Sequence, residues 1–135
     1  MKEHYEIFVF TAACPAYAQL VVKELDPENK LISYILDRSH CLETRNGLYI
    51  KDLRIVKNRE LKNMIIVDNL VHSFGFQIDN GVPILEWRGQ KDDEELHYLT
   101  NYLLEAKKYD DVREFNRERL KLTEVVNYKL DENTC

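Results

Sequence analysis

The stretch Met64-Ile65-Ile66-Val67-Asp68-Asn69 decides how this chain reads, because four large apolar residues end abruptly in two polar side chains. An apolar run of that length predicts a strand buried on both faces, as in a parallel sheet covered by helices. The Asp-Asn pair then lies at the carboxyl end of the strand, where open α/β sheets gather ligand-binding residues around a crevice. A carboxylate beside a carboxamide offers oxygen donors to a hard cation such as Mg²⁺.

Outward from that strand, the same alternation of apolar runs and polar ends recurs. Towards the amino terminus, Tyr5 to Phe10 reads as a strand that leads through Thr11-Ala12-Ala13-Cys14 into a helix opened by Pro15 and running to Leu25. Tyr17, Leu20, Val21 and Leu25 repeat there with helical spacing. Leu31 to Leu36 predicts a second buried strand followed by polar Asp37-Arg38-Ser39-His40. Asn46-Gly47, between Leu42 and Leu48-Tyr49-Ile50, is a hairpin signal because both residues tolerate positive φ, and Lys51 follows on the returning strand. The charged segment Arg54 to Asn63 reads as a connection.

Towards the carboxyl terminus, Leu70 to Asp79 shows no period and predicts a loop or short helical turn. Asn80-Gly81 marks a turn before a short strand, Val82 to Glu86, which Pro83 confines to a sheet edge or end. Asp92-Asp93 precedes a helix with an apolar stripe of Leu96, Leu99, Tyr102, Leu103 and Ala106. A last charged helix is expected from about Asp110 to Tyr128.

The 135 residues suffice for one ordinary core, and 44% hydrophobic with 32% charged residues is the balance of a soluble globular protein. A net charge of -5 disfavours nucleic acid and anionic membrane as partners. No apolar run approaches the ~18 to 20 residues of a membrane span. The segment Ile7 to Val22 lacks the positive leader of a signal peptide. Cys14, Cys41 and Cys135 are odd in number and lack metal-ligand spacing, which predicts free thiols in an intracellular compartment, nuclear or cytoplasmic.

Thr11, Lys51, Asp68 and Asn69 stand at strand ends, and together they offer a hydroxyl donor, an ammonium charge and oxygen ligands, the equipment for holding a phosphoryl group. By residue type alone, a strand-end Thr is commonly a cap and a lone Lys a surface charge. His72 and Cys14 have blander readings too, as a polar loop residue and a small packing thiol.

The wording of the segments goes further. Tyr5-Glu6-Ile7-Phe8-Val9-Phe10-Thr11-Ala12, Tyr17-Ala18, Leu25-Asp26-Pro27, Arg38-Ser39-His40-Cys41, Gly47 to Leu53, Ile65 to Asn69, Asn80 to Ile84, Trp87, Asp92 to Leu96 and Asp110 to Arg113 occur in an order that closely resembles FCP/SCP-type protein phosphatases of the haloacid dehalogenase superfamily. The resemblance implies an α/β fold: a Rossmann-like parallel sheet with flanking helices and a small β-hairpin insertion. It implies that Thr11 hydrogen-bonds the transferring phosphoryl group and that Lys51 stabilises its charge. Arg38 would reach the substrate phosphate or peptide, and Asp68 and Asn69 would hold Mg²⁺. Tyr17, Leu53, Pro83 and Trp87 are expected to pack. The homology domain is expected over residues 1–120, with 121–135 as helix end and tail.

One departure matters. Members of that family begin catalysis with an Asp-x-Asp-x-Thr segment, whose first Asp attacks phosphorus while the second acts as general acid and base. The first aspartate here is Asp26. The strand carrying that segment lies in the family between those resembling Tyr5 to Phe10 and Met64 to Val67, so the chain is expected to lack its first, central strand. It would then be a fragment, a split gene product, or a half that takes an amino-terminal segment in trans. The expected function is the carboxyl-terminal part of a Mg²⁺-dependent phosphoserine/phosphothreonine protein phosphatase acting on phosphorylated proteins or peptides. The alternative is a non-catalytic phosphoprotein-binding or scaffolding module like the mitochondrial translocase subunits that share the domain.

Overall fold

A computed structural model describes residues 1–127, and the chain divides into two compact units, Met1–Ile55 and a second that begins at Val56. In the first unit, β1 (Ile7–Phe10) runs parallel to β2 (Ile32–Leu36), with α1 (Pro15–Leu25) as the crossover between them. Phe10 pairs with Leu36, and the Thr11 amide adds one more rung by donating to the Leu36 carbonyl at 2.8 Å. The rings of Phe8 and Tyr34, partners in the register, lie 4.9 Å apart. A short antiparallel hairpin, β3 (Leu42–Glu43) with β4 (Tyr49–Ile50), follows, and Gly47 at its tip holds φ +77, a conformation open to glycine at little cost.

The helix begins and ends where Pro15 and Asp26 place its limits, but its burial differs from the expectation. Tyr17, Leu20, Val21 and Leu25 are exposed, and the buried line is Ala18, Val22 and Asp26. Asp26 supplies the reason. Its carboxylate, 2% exposed, accepts the amides of Lys30, Leu31 and Ile32 at 2.9 Å each, which draws that side of the helix onto the start of β2. These amides hold the carboxyl below its usual range.

In the second unit, β5 (Ile66–Asp68) runs parallel to β6 (Gly81–Pro83), joined by 3₁₀ turns over Val71–Asn80 that break at Phe74 and Gln77. Two helices follow, α2 (Glu95–Ala106) and α3 (Val112–Leu120). Phe74, Ala106 and Phe115 are fully buried, with Ile66, Val82 and Val112 beside them in the core. Tyr102 and Tyr109 lie 4.8 and 4.9 Å from the Phe115 ring. Gly81 leaves room for Phe74: a Cβ there would come within 2.1 Å of the ring.

Buried polar groups bind this core together. Asn80 donates to the carbonyls of Leu61 and Met64 at 2.6 and 2.8 Å, fixing the entry to β5. Asn116 donates to the Asp79 carbonyl at 2.7 Å and accepts the Tyr102 hydroxyl at 2.6 Å. Burial pushes that phenol up to about 12.

Three further expectations are corrected. Val67 is exposed, because β5 belongs to a two-stranded sheet that does not cover both of its faces. The strand expected to reach Glu86 ends at Pro83, with one last rung from the Ile84 amide to the Asp68 carbonyl at 3.2 Å. The expected last helix breaks at Lys121, whose φ of +53 stops α3 before a further helical segment at 122–127. Tyr128 and Cys135 lie outside the described residues. Among the described residues, β1 pairs with β2 alone and β5 with β6 alone, so each parallel pair keeps both outer edges without a further strand.

Candidate functional site

The first unit builds its polar end where β1 and β2 both finish. Thr11 follows β1, and its hydroxyl accepts the Ala13 amide at 3.1 Å, which leaves its own proton to donate. Arg38 follows β2 and is drawn to the same turn: its backbone amide donates to the Ala13 carbonyl at 2.9 Å and its Nε to the Ala12 carbonyl at 2.7 Å. The guanidinium lies 5.4 Å from the centre of the Tyr49 ring. With Nε and the flat face so engaged, the Nη atoms form a fork suited to a phosphate or carboxylate.

Reading the sequence missed the residues that hold Arg38 there. Asp37 accepts the Ser39 amide at 2.9 Å and the Ser39 hydroxyl at 2.6 Å, while its own amide donates to His40 Nδ1 at 3.0 Å. The Ser39 bonds are the leading cause that lowers the Asp37 carboxyl below its ordinary value. Cys41 Sγ lies 3.7 Å from the carbonyls of both Thr11 and Asp37, tying the two strand ends together. An Asp two residues before a Ser is a turn signal that could have flagged this bracket. Lys51, directly after β4, is half-buried.

The second unit places Asp68 at the end of β5, 7% exposed, with Oδ1 accepting the Leu70 amide at 2.9 Å. Asn69 is exposed and lines a groove of ≈ 900 Å³ together with Leu85, Trp87, Lys91 and Leu96. Among the described residues, no three His, Cys, Asp or Glu side chains gather as a metal cluster. Asp68 and Asn69 bring a carboxylate and a carboxamide to this strand end, both oxygen-bearing side chains of the type a Mg²⁺ ion takes.

Other expected roles come out differently. Tyr17 and Trp87 are 60% and 67% exposed instead of packed, whereas Leu53 is buried as expected. Cys14 is an exposed free thiol at the start of α1 and not a packing residue. His72 is exposed on the 3₁₀ turns. No described helix is long and apolar enough to cross a membrane.

Two pairs of parallel strands, one of them joined by the crossover helix α1, with polar residues at their carboxyl ends, make this an α/β protein. The fission yeast RNA polymerase II CTD phosphatase Fcp1, solved with beryllium fluoride, shares this fold at a TM-score of 0.52 and 19% identity, over 89% of this chain and 35% of that one. The family model of the NLI interacting factor-like phosphatases matches residues 1–113, and the chain belongs to that family. It is 39% identical over 94% of its length to CTD small phosphatase-like protein 2 of Dictyostelium discoideum, of which it covers 22%. With CTD small phosphatase-like protein 3 of Caenorhabditis elegans the identity is 37% over 95% of this chain and 44% of the relative. The mitochondrial import inner membrane translocase subunit TIM50 of Candida glabrata is 34% identical over 73% of this chain and 20% of its own length. The chain therefore spans less than half the length of these relatives.

Proposed function

We propose that this chain supplies the phosphate-positioning part of a Mg²⁺-dependent protein phosphatase acting on phosphoserine and phosphothreonine, its homology domain reaching from residue 1 to about 120. The observation that carries the proposal is the strand-end bracket of the first unit, where Thr11 keeps a hydroxyl proton and Arg38 keeps its Nη fork. In this reading Thr11 donates to a phosphoryl oxygen, Arg38 binds the substrate phosphate or its peptide, and Lys51 offsets negative charge in the transition state. Asp68 and Asn69 would hold Mg²⁺, which when bound would neutralise phosphate charge. Attack on phosphorus needs an aspartate of the Asp-x-Asp-x-Thr kind, and the sequence contains no Asp-x-Asp pair. Turnover therefore depends on such a segment from outside these residues, acting in trans if it is a separate chain. A nuclear or cytoplasmic setting belongs to the same reading.

The test is hydrolysis of a phosphoserine peptide with Mg²⁺, by the chain alone and by the chain mixed with a family-type segment bearing Asp-x-Asp-x-Thr. Turnover in the mixture is expected, with Arg38→Ala raising KM and Thr11→Val lowering kcat by roughly tenfold or more. The similarity to TIM50 favours a second reading, a non-catalytic phosphoprotein-binding or scaffolding module. Peptide binding without turnover in either arm would replace the enzyme reading with that one.

A further inference from the structure

Beyond the phosphate itself, the second unit carries a surface that selects what surrounds it. The groove that opens at Asn69 is lined by Leu85, Trp87 and Leu96, which are 72%, 67% and 68% exposed. Large apolar side chains left this open and grouped in one concavity mark an interaction surface more often than scattered exposure does. Trp87 is held in place: its indole N–H donates to the Gln90 carbonyl at 2.9 Å, and Gly89, at φ +91, permits the tight turn that brings Gln90 round. A fixed, exposed tryptophan loses little side-chain freedom on binding, the property of an anchoring residue.

The charge around this ring is mostly negative. Glu86, Asp92, Asp93, Glu94 and Glu95 outnumber Arg88 and Lys91 in this stretch, and Arg88 is engaged by Glu86 at 2.8 Å. Asp93 accepts the Glu95 amide at 3.1 Å at the start of α2, and Glu86, Asp93 and Glu95 line the groove itself against one cation, Lys91. Carboxylates beside an exposed indole favour a guanidinium or ammonium, which gains from the ring face and from the charges at once. An acidic or multiply phosphorylated stretch would meet repulsion there.

We propose that this groove docks a protein segment in which leucine-like residues stand beside arginine or lysine, with Trp87 taking the cation or the apolar side chain that Leu85 and Leu96 flank. On the phosphatase reading, in which Asn69 is a Mg²⁺ ligand, the segment is the flank of the phosphorylated residue. That last step rests on the phosphatase reading, whereas docking does not.

The probe is a short fluorescein-labelled peptide in which arginine and leucine alternate about a central serine, titrated with the full chain and followed by anisotropy. Saturable binding that weakens with salt is expected, and Trp87→Ala and Leu85→Ser should each weaken it by roughly tenfold. Both residues are largely exposed, so the fold should survive the changes, and circular dichroism checks that it does. Equal binding of a peptide with glutamate in place of arginine, or wild-type binding by both variants, would overturn the proposal. So would self-association of the chain that Trp87→Ala abolishes without any peptide binding, since the groove would then belong to a second copy. The serine-phosphorylated peptide separates the two readings. If it binds no better and is not hydrolysed even with the Asp-x-Asp-x-Thr segment present, docking stands and the phosphatase reading falls. Hydrolysis that ignores the flanking residues leaves the phosphatase reading and removes the docking one.

Discussion

The two units of the chain are held together by different means. Met1–Ile55 buries only Ala18, Val22, Ile50 and Leu53 among its apolar residues and leaves the larger side chains of α1 in solvent. Its order comes from hydrogen-bonded turns, above all the three amides on Asp26 and the Asp37 to Cys41 bracket. Val56–Cys135 has instead an aromatic centre, Phe74 and Phe115, with buried amides of Asn80 and Asn116 keyed into it. The first arrangement depends on ionised carboxylates and the second on close packing. A bracket of directed hydrogen bonds fixes Thr11 and Arg38 more narrowly than a few methyl contacts would.

The largest test of this contrast is Phe115→Ala, which empties the aromatic centre of the second unit. A loss of about 3 to 5 kcal/mol in chemical denaturation is expected, with the amides of β5 and β6 losing protection from hydrogen exchange. Ordinary protection there would mean that the aromatic cluster is not what holds this unit.

Next in size is the response of the first unit to acid. The Asp26 carboxyl is depressed in the folded state, so its stabilising effect is present above the unfolded carboxylate value and is lost as pH falls through the folded one. Exchange at Lys30, Leu31 and Ile32 should therefore accelerate as pH is lowered through the carboxylate range, beyond the intrinsic pH dependence of exchange. Asp26→Asn should raise exchange at neutral pH and remove that extra acid dependence. Asp111 works in the same sense in the second unit, held at about 2 chiefly by Arg113, but its bonds lie at the rim of α3 and not in the aromatic core. Acid should consequently open the Asp26 turn before it loosens Phe115.

The smallest effect concerns the break after α3. Lys121 sits at φ +53, where a side chain is strained and glycine is not. Lys121→Gly should stabilise the second unit by about 0.5 to 1 kcal/mol, read as a small rise in the denaturation midpoint. A loss would mean that contacts of the Lys121 side chain outweigh the backbone strain.

Most of the element order could be read from local signals. Pro15 and Asp26 bound α1, Asn46-Gly47 marks the hairpin, and the apolar runs before Thr11, Asp37 and Asp68 give the strands. These signals are local because they rest on backbone preferences and on short repeats of apolar residues. Thr11 could be singled out as a polar residue at a strand end, and Arg38 through the family resemblance. Their bracket could not, because His40, Cys41 and Tyr49 serve it through contacts that depend on how β2 and the hairpin fold back.

By itself, then, the sequence determined the alternation of strands and helices, the family, and the polar residue types at the strand ends. Tertiary structure alone decided which face of each amphipathic element is buried. Helical spacing marks an apolar stripe on α1, but a carboxylate gathering three amides turned the Ala18–Val22 side inward and left Tyr17 and Leu25 in water. The same distinction holds at Trp87, where an indole tied to Gln90 stands exposed among carboxylates. Periodicity records how apolar side chains are spaced, and burial depends on whether another part of the chain is there to cover them.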